Sequence, residues 1–266
     1  MPKKMRRVLI ISDLHCGHFA GLTPPSWHHS PSSTSDPLQQ RFLEFCKFSY
    51  GKFYKIVKSL QPIDVLMVNG DCVDGLGRRS GGTELWTTDV DRQCDMATEI
   101  IKFIKAKKIV MTYGTPYHCG EVEDAENRIA QNVKAEKIGG HEWVDVNGVI
   151  FDLKHKIGSS TIPHGRFTAI AKEKLWNILW SEREESPKAQ IIVRSHVHYH
   201  NFCGGNEWLA LTTPALQGPG SKYGTRQCSG VVDFGLVHFD VNPSGSYSWQ
   251  AHITKLLDKN KALLKL

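Results

Sequence analysis

A chain of 266 residues, 40% hydrophobic and 23% charged, has the mix of an ordinary globular protein, which excludes a disordered, collagen-like or coiled-coil chain. No apolar run approaches the roughly 18–20 residues that span a bilayer, and the stretch behind the basic N-terminus, Val8 to Ile11, is too short for a signal-peptide core, so a cytoplasmic protein with no membrane partner is expected. The net charge of +6 suits an anionic substrate, and seven cysteines without a C-x-x-C pair exclude a zinc ribbon or a secreted disulfide framework.

Val8 to Ile11 reads as a buried strand that stops at Ser12-Asp13. Residues 17–37, rich in Gly, Pro, Ser, His and Trp, read as a loop insertion. A helix follows over Leu38 to Leu60, broken near Gly51. Asp64 to Val68 is a second buried strand, with Asn69-Gly70-Asp71 at its end and a second insertion over 75–88. Asp89 to Lys107 has helical spacing in Met96, Ile100, Phe103 and Ile104. Ile109 to Tyr113 is a third strand, and Glu121 to Ala135 a helix with an acidic first turn. Glu142–Val146 and Val149–Leu153 flank Asn147-Gly148, a strong hairpin signal. Arg166 to Glu184 fits an amphipathic helix with Phe167, Ile170, Leu175, Ile178 and Leu179 inward. Ile191 to Val193 is a strand running into Ser195-His196-Val197-His198. Strands and turns follow to Thr254, with a hairpin at Asn242 to Gly245. The tail from Ala251 reads as a basic amphipathic helix that packs on its own domain or forms a homodimer contact. Residues 1–266 read as one domain of packed sheets flanked by helices.

Buried strands here end in polar clusters: Asp13-x-His15, Asp71-x-x-Asp74, Gly114 to His118, and His196-x-His198, with His155 as a further contribution. Ligands in α/β sheets bind at the carboxyl ends of strands, so these side chains converge. Carboxylate oxygen and imidazole nitrogen suit two divalent transition-metal ions, Mn²⁺ first, with Fe, Zn, Ni or Co as alternatives. Six such ligands exceed one tetrahedral site, and two metals sharing a carboxylate can clamp a phosphate and make hydroxide near neutral pH. The residues alone therefore point to metal-assisted hydrolysis of a phosphate ester, with a nucleotide or nucleic acid among the candidate substrates.

In order, Asp13-Leu14-His15, Gly70-Asp71-Cys72-Val73-Asp74, Gly114 to His118, His155 and Ser195-His196-Val197-His198 resemble the blocks of calcineurin-like metallophosphoesterases, D-x-H, G-D-x-x-D, G-N-H-[DE], H and G-H-x-H. The resemblance implies an α/β fold, a four-layer α/β/β/α sandwich of two mixed β-sheets flanked by helices. It implies that Asp13, His15 and His198 bind one metal, that His155 and His196 bind the other, and that Asp71 bridges them. It also implies in-line attack on phosphorus by a metal-bridging hydroxide. In the third block the chain departs from the pattern, because Thr115 stands where the family has the metal-binding Asn and His118 comes two residues late. Such G-T-x-x-H versions resemble phage-type members. Thr115 is then a poorer ligand or a support behind one, Asp74 a ligand or a support, and His118 the acid for the leaving group or a further ligand.

Protein Ser/Thr phosphatases of this superfamily carry Arg-Gly after the second block to grip a phosphate dianion, whereas Gly75-Leu76 follow Asp74 here. That favours a phosphodiesterase over a phosphomonoesterase. A nuclease rests only on the charge and the insertions. A non-catalytic scaffold of the same fold remains the rival from another class, although such scaffolds have usually lost Asp or His ligands. His164 and Arg166 stand before a helix as candidate phosphate contacts. Arg78-Arg79 and Trp27 read as solvated or loop-anchoring residues. Cys16, Cys72 and Cys119 read as packing residues beside the site.

Overall fold

Strands that are apolar on both faces need cover on both sides, and that requirement organises the molecule. The computed structural model describes residues 4–28, 37–78, 80–119, 124–219 and 232–256. In the first sheet β1 (Arg6–Ile11), β2 (Val65–Asn69), β3 (Lys108–Thr112) and β4 (Lys137–Gly139) run parallel. β10 (Phe234–Val241) pairs antiparallel with β1, and β11 (Tyr247–Thr254) antiparallel with β10, giving the order β11-β10-β1-β2-β3-β4. The second sheet has the order β5-β6-β7-β9-β8. Its strands are β5 (Glu142–Val146), β6 (Val149–Leu153), β7 (Ile191–Arg194), β8 (Asn201–Gly204) and β9 (Leu209–Thr212). β6, β7 and β9 are parallel, while β5 and β8 are antiparallel edges, so both sheets are mixed.

The two-residue period of a strand sorts the side chains between layers. Val8, Ile10, Val65 and Met67 face Phe151, Leu153, Ile191 and Val193 of the other sheet in one core. Leu9, Ile11, Leu66, Val68 and Met111 face outward into a second core. That core is closed by α1 (Pro37–Leu60), α2 (Val90–Ile104) and α4 (Asp124–Val133), through Phe53, Val57, Ile100, Ile101 and Ile129. On the far side of the second sheet, α5 (Gly165–Glu182) covers Ile192 and Ala210 with Ile170. Helices, sheet, sheet and helix make the four expected layers. A short α3 (Pro116–Cys119) and a 3-10 turn at Pro25–Trp27 complete the elements. No described helix is long and apolar enough to cross a membrane.

Local chemistry sets the ends. Asp89 caps α2 by accepting from the amides of Asp91 and Arg92 at 3.0 and 3.3 Å. Asn147 and Gly148, at φ 54° and 89°, make the tight β5–β6 turn. Trp27 anchors its loop by donating Nε1–H to Glu99 at 3.2 Å.

Three expectations are corrected. α1 is not broken at Gly51: a mid-helix glycine costs about 1 kcal/mol, and burial of Phe53, Val57 and Leu60 at about 1.5–3 kcal/mol each outweighs it. The tail is not helical from Ala251, because residues 251–254 lie in β11, paired to β10; residues 257–266 lie outside the described residues. In α5, Phe167, Leu175 and Leu179 are exposed rather than inward, and the buried positions are Ile170, Lys174 and Asn177. Lys174 Nζ donates to Ala189 O at 2.6 Å and Asn177 Oδ1 accepts from Ala189 N at 3.0 Å, so polar anchors seat this helix.

Candidate metal centre

The chain leaves β1 and β2 without ending their pairing. The amides of Asp13, His15 and Cys16 donate to Gly70 O, Asp71 O and Cys72 O at 3.0, 3.1 and 3.0 Å. These bonds hold the first two blocks side by side. His196 and His198 alternate in sequence and would point apart on a regular strand. Both take positive φ, 74° and 55°, so the chain turns and brings both rings inward. Asp13, His15 and Asp71 also have positive φ, at 52°, 46° and 51°. Non-glycine residues in this region cost on the order of 1 kcal/mol or more each, and such strain gathers where a site imposes it.

Asp13, His15, Asp71, His155, His196 and His198 come together at the carboxyl ends of β1, β2, β6 and β7. His198 Nε2 lies 3.2 Å and His15 Nε2 3.9 Å from Asp13 Oδ1. Asp71 Oδ2 lies 3.0 Å from His155 Nε2, 3.9 Å from His196 Nδ1 and 4.0 Å from His15 Nε2. Two triads result, Asp13-His15-His198 and Asp71-His155-His196, with Asp71 within reach of both.

Groups behind the rings fix which nitrogen faces inward. His15 Nδ1 donates to Asp74 Oδ1 at 2.9 Å, and His155 Nδ1 donates to Asn69 O at 2.7 Å. Each bond turns Nε2 toward the cluster. Burial and the neighbouring His118 push the His15 imidazole down to about 4, so it is neutral at neutral pH. Burial also works against charge on His155, yet Asp71 and Asp13 raise it to about 10. Burial disfavours charge on Asp13 and Asp71 as well, but histidines, His198 for Asp13 and His155 for Asp71, hold both carboxyls well below the usual range. Asp74 is held at about 2: burial opposes charge, and the His15 bond together with the charges of His18, His15 and His118 outweighs it.

The donor set fits divalent cations. Asp13 Oδ1 and His155 Nε2 are buried, face the cluster and make no well-aligned hydrogen bond, although His198 Nε2 and Asp71 Oδ2 stand 3.2 and 3.0 Å from them. Buried polar atoms left incompletely bonded cost about 1–3 kcal/mol unless a ligand engages them. Oxygen and imidazole nitrogen together match the borderline transition metals.

Thr115 supports Asp71: its amide and hydroxyl donate to Asp71 Oδ1 at 2.6 and 3.1 Å. His118, on α3, donates Nδ1–H to Asp74 O at 3.0 Å and stands edge-on to His15, with ring centroids 4.5 Å apart. One of its nitrogens falls within 4.8 Å of ligand atoms of His15 and Asp71. His164 is exposed at the start of α5, and the Arg166 guanidinium lies 4.1 Å over the Tyr199 ring. Among the described residues, neither shares a hydrogen bond or ion pair with the cluster. Cys16 and Cys72 are buried, and burial pushes both thiols well up. The Cys119 side chain and Arg79 lie outside the described residues.

Several supports were not anticipated. Glu126 on α4 accepts from Cys72 N at 3.0 Å and Gly114 N at 2.6 Å, tying together the loops that carry Asp71 and Thr115. Gln93 on α2 accepts from Asp74 N and Gly75 N at 3.1 and 2.8 Å. Asn69, Ser195, Thr213 and Ser12 form a buried chain at 2.6, 2.7 and 2.6 Å that joins the two sheets beneath the ligands. The available signal was a small polar residue closing each of these strands. The two insertions pair with each other. Phe19 N donates to Glu84 O at 2.9 Å and Trp86 N to Gly17 O at 2.7 Å, and the Phe19 and Trp86 rings meet edge to face at 4.5 Å.

A family model for calcineurin-like phosphoesterases matches residues 6–223. Among solved structures, the chain is similar to a single mutant of Vps29 from Entamoeba histolytica, at 13% identity and TM-score 0.45 over 94% of this chain and 99% of the other. It is similar to an archaeal phosphodiesterase, at 13% identity and TM-score 0.44 over 92% and 99%. A third is vacuolar protein sorting 29 from Cryptosporidium parvum, at 12% identity and TM-score 0.49 over 96% and 100%. No curated protein matches the sequence.

Proposed function

The chain belongs to the calcineurin-like phosphoesterase family, and on that premise we propose that it is a dinuclear metal-dependent phosphodiesterase. The observation that carries this reading is the convergence of six candidate ligands, two of whose buried atoms, Asp13 Oδ1 and His155 Nε2, make no well-aligned hydrogen bond. Asp13, His15 and His198 would hold one ion, His155 and His196 the other, with Asp71 shared. Bound there, a pair of divalent cations supplies positive charge for a phosphoryl oxygen and lowers the pKa of water.

The chain's own residues do the rest. Asp74 and Asn69 O keep His15 and His155 in the tautomers that face inward. Thr115 fixes the Asp71 carboxylate, so its rotation does not disturb a shared ion. His118 donates Nδ1–H to Asp74 O, which leaves Nε2 as the atom to carry a proton to the leaving oxygen. Gly75 supports the preference for a diester. Its φ is +74°, and a Cβ there would meet His118 O at 2.6 Å, so no side chain, let alone an arginine, fits next to Asp74. A diester, with one negative charge, needs less cationic grip than a monoester dianion.

The test is hydrolysis of bis-p-nitrophenyl phosphate and p-nitrophenyl phosphate by Mn²⁺-loaded protein, with Asp71→Asn as control. Faster turnover of the diester, lowered at least about a thousandfold by Asp71→Asn, is expected. Preference for the monoester would make the protein a phosphatase. Failure to turn over either ester, with no bound metal, would make it a binding scaffold of this fold.

A further inference from the structure

The two outer helical layers are built with opposite polarity, and that of α5 is unusual. Its buried face carries Ile170, Lys174 and Asn177, while Phe167, Leu175, Trp176, Leu179 and Trp180 are 50, 56, 50, 46 and 39% exposed. At 100° per residue, Leu175 and Leu179 lie on the side opposite Ile170 and Asn177. Trp176 and Trp180 continue this side along one flank, their ring centroids 6.1 Å apart, whereas Phe167 lies on the flank of Lys174.

We propose that the outward face of α5 is a homodimer interface, in which the α5 helices of two copies pair antiparallel about a two-fold axis at the level of Asn177. Two observations point to a second copy. The first is area. The half-exposed Leu175, Trp176, Leu179 and Trp180 leave on the order of 400 Å² of apolar surface per copy, since a whole aromatic buries about 150–250 Å². A standard interface buries about 800 Å² per partner, roughly 65% apolar in homodimers, which is close to that amount. The second is self-complementary charge. In an antiparallel pair centred at position 177, Leu175 faces Leu179 of the second copy, and Lys172 faces its Glu182. Both contacts then occur twice, as an isologous interface requires. Lys172 and Glu182 are exposed and project from the same side of α5 as the two leucines. Leu256, where the described residues end, packs in the core beneath α1, on the opposite side of both sheets from α5.

Sedimentation of the purified full-length protein from micromolar to hundred-micromolar concentration tests this. The wild-type chain is expected to sediment as a dimer. Leu175→Glu with Leu179→Glu should raise Kd more than about a hundredfold while circular dichroism stays folded. Lys172→Glu or Glu182→Lys alone should each weaken the dimer about threefold to tenfold, and the two together should restore it, which only this register predicts. A wild-type monomer across the whole range, or a dimer indifferent to both leucines, would overturn the proposal. Dimerisation that depends on the leucines but is not rescued by the double charge swap would overturn the register.

Discussion

α2 and α5 do the same architectural work, each covering the outer face of a sheet, and they do it in opposite ways. α2 buries Met96, Ala97, Ile100, Ile101 and Ile104 and turns its charges to solvent. α5 is seated by Lys174 and Asn177 over an ionic floor, where Arg194 meets Asp152 and Glu173 at 2.6 and 2.7 Å, and it turns its large apolar groups outward. Helical periodicity reports that a helix has two faces. It does not report which one meets the sheet, because that depends on what the strands offer. Under α2 the strands offer Leu66 and Met111; under α5 they offer Arg194 and Asp152 beside the apolar Ile192 and Ala210.

The floor under α5 is the place to break this comparison most severely. Asp152→Ala removes the carboxylate shared by Arg194, His141 and Asn177 and leaves a buried guanidinium short of a partner. A loss of about 3–5 kcal/mol in chemical denaturation is expected. Under α2 the corresponding injury is a cavity: Ile101→Ala should cost about 2–4 kcal/mol, with no dependence on salt or pH. Acid sharpens the contrast further. Burial raises the Asp152 pKa, but His141 and Arg194 outweigh it and hold the group below its ordinary 3.8. Glu173 lies below its ordinary 4.5: burial raises it, and Arg194 and Lys154 lower it further. A carboxyl depressed on folding contributes stability that is complete above its unfolded pKa and is lost as pH falls through the folded one. Wild-type protein should therefore lose more stability than Asp152→Asn between about pH 5 and pH 2, measured as unfolding free energy against pH. Asp89→Ala, which removes the cap of α2, should cost about 1 kcal/mol. The smallest effect belongs to the outward face of α5: Leu179→Ser should change the stability of the isolated monomer by less than about 0.5 kcal/mol.

The sequence made the strands and the clustering of the candidate ligands legible for one reason. Each of β1, β2 and β7 is a buried apolar run, and each is followed at once by candidate ligands. His155 was legible only by its order among the blocks, since a lone histidine after a strand carries no pattern. Glu126 and Gln93 were not legible. Each is one polar residue on a helix, and its role comes from backbone amides of loops distant in sequence. Asn69, Ser195 and Thr213 were invisible for the same reason: their meaning lies in a chain of hydroxyls and an amide that crosses from one sheet to the other. Gly51 reads as a break because intrinsic propensity disfavours it, whereas tertiary burial holds the helix together.

The candidate ligands come from both halves of the sandwich, Asp13 and Asp71 from the first sheet and His155, His196 and His198 from the second. An ion seated among them would act as a rivet across the seam. Its affinity would then add to the cohesion of the sandwich, by about 2.7 kcal/mol when the free ion exceeds its Kd a hundredfold. Loss of the ion would in that case loosen the protein, and turnover of the chain would track metal supply.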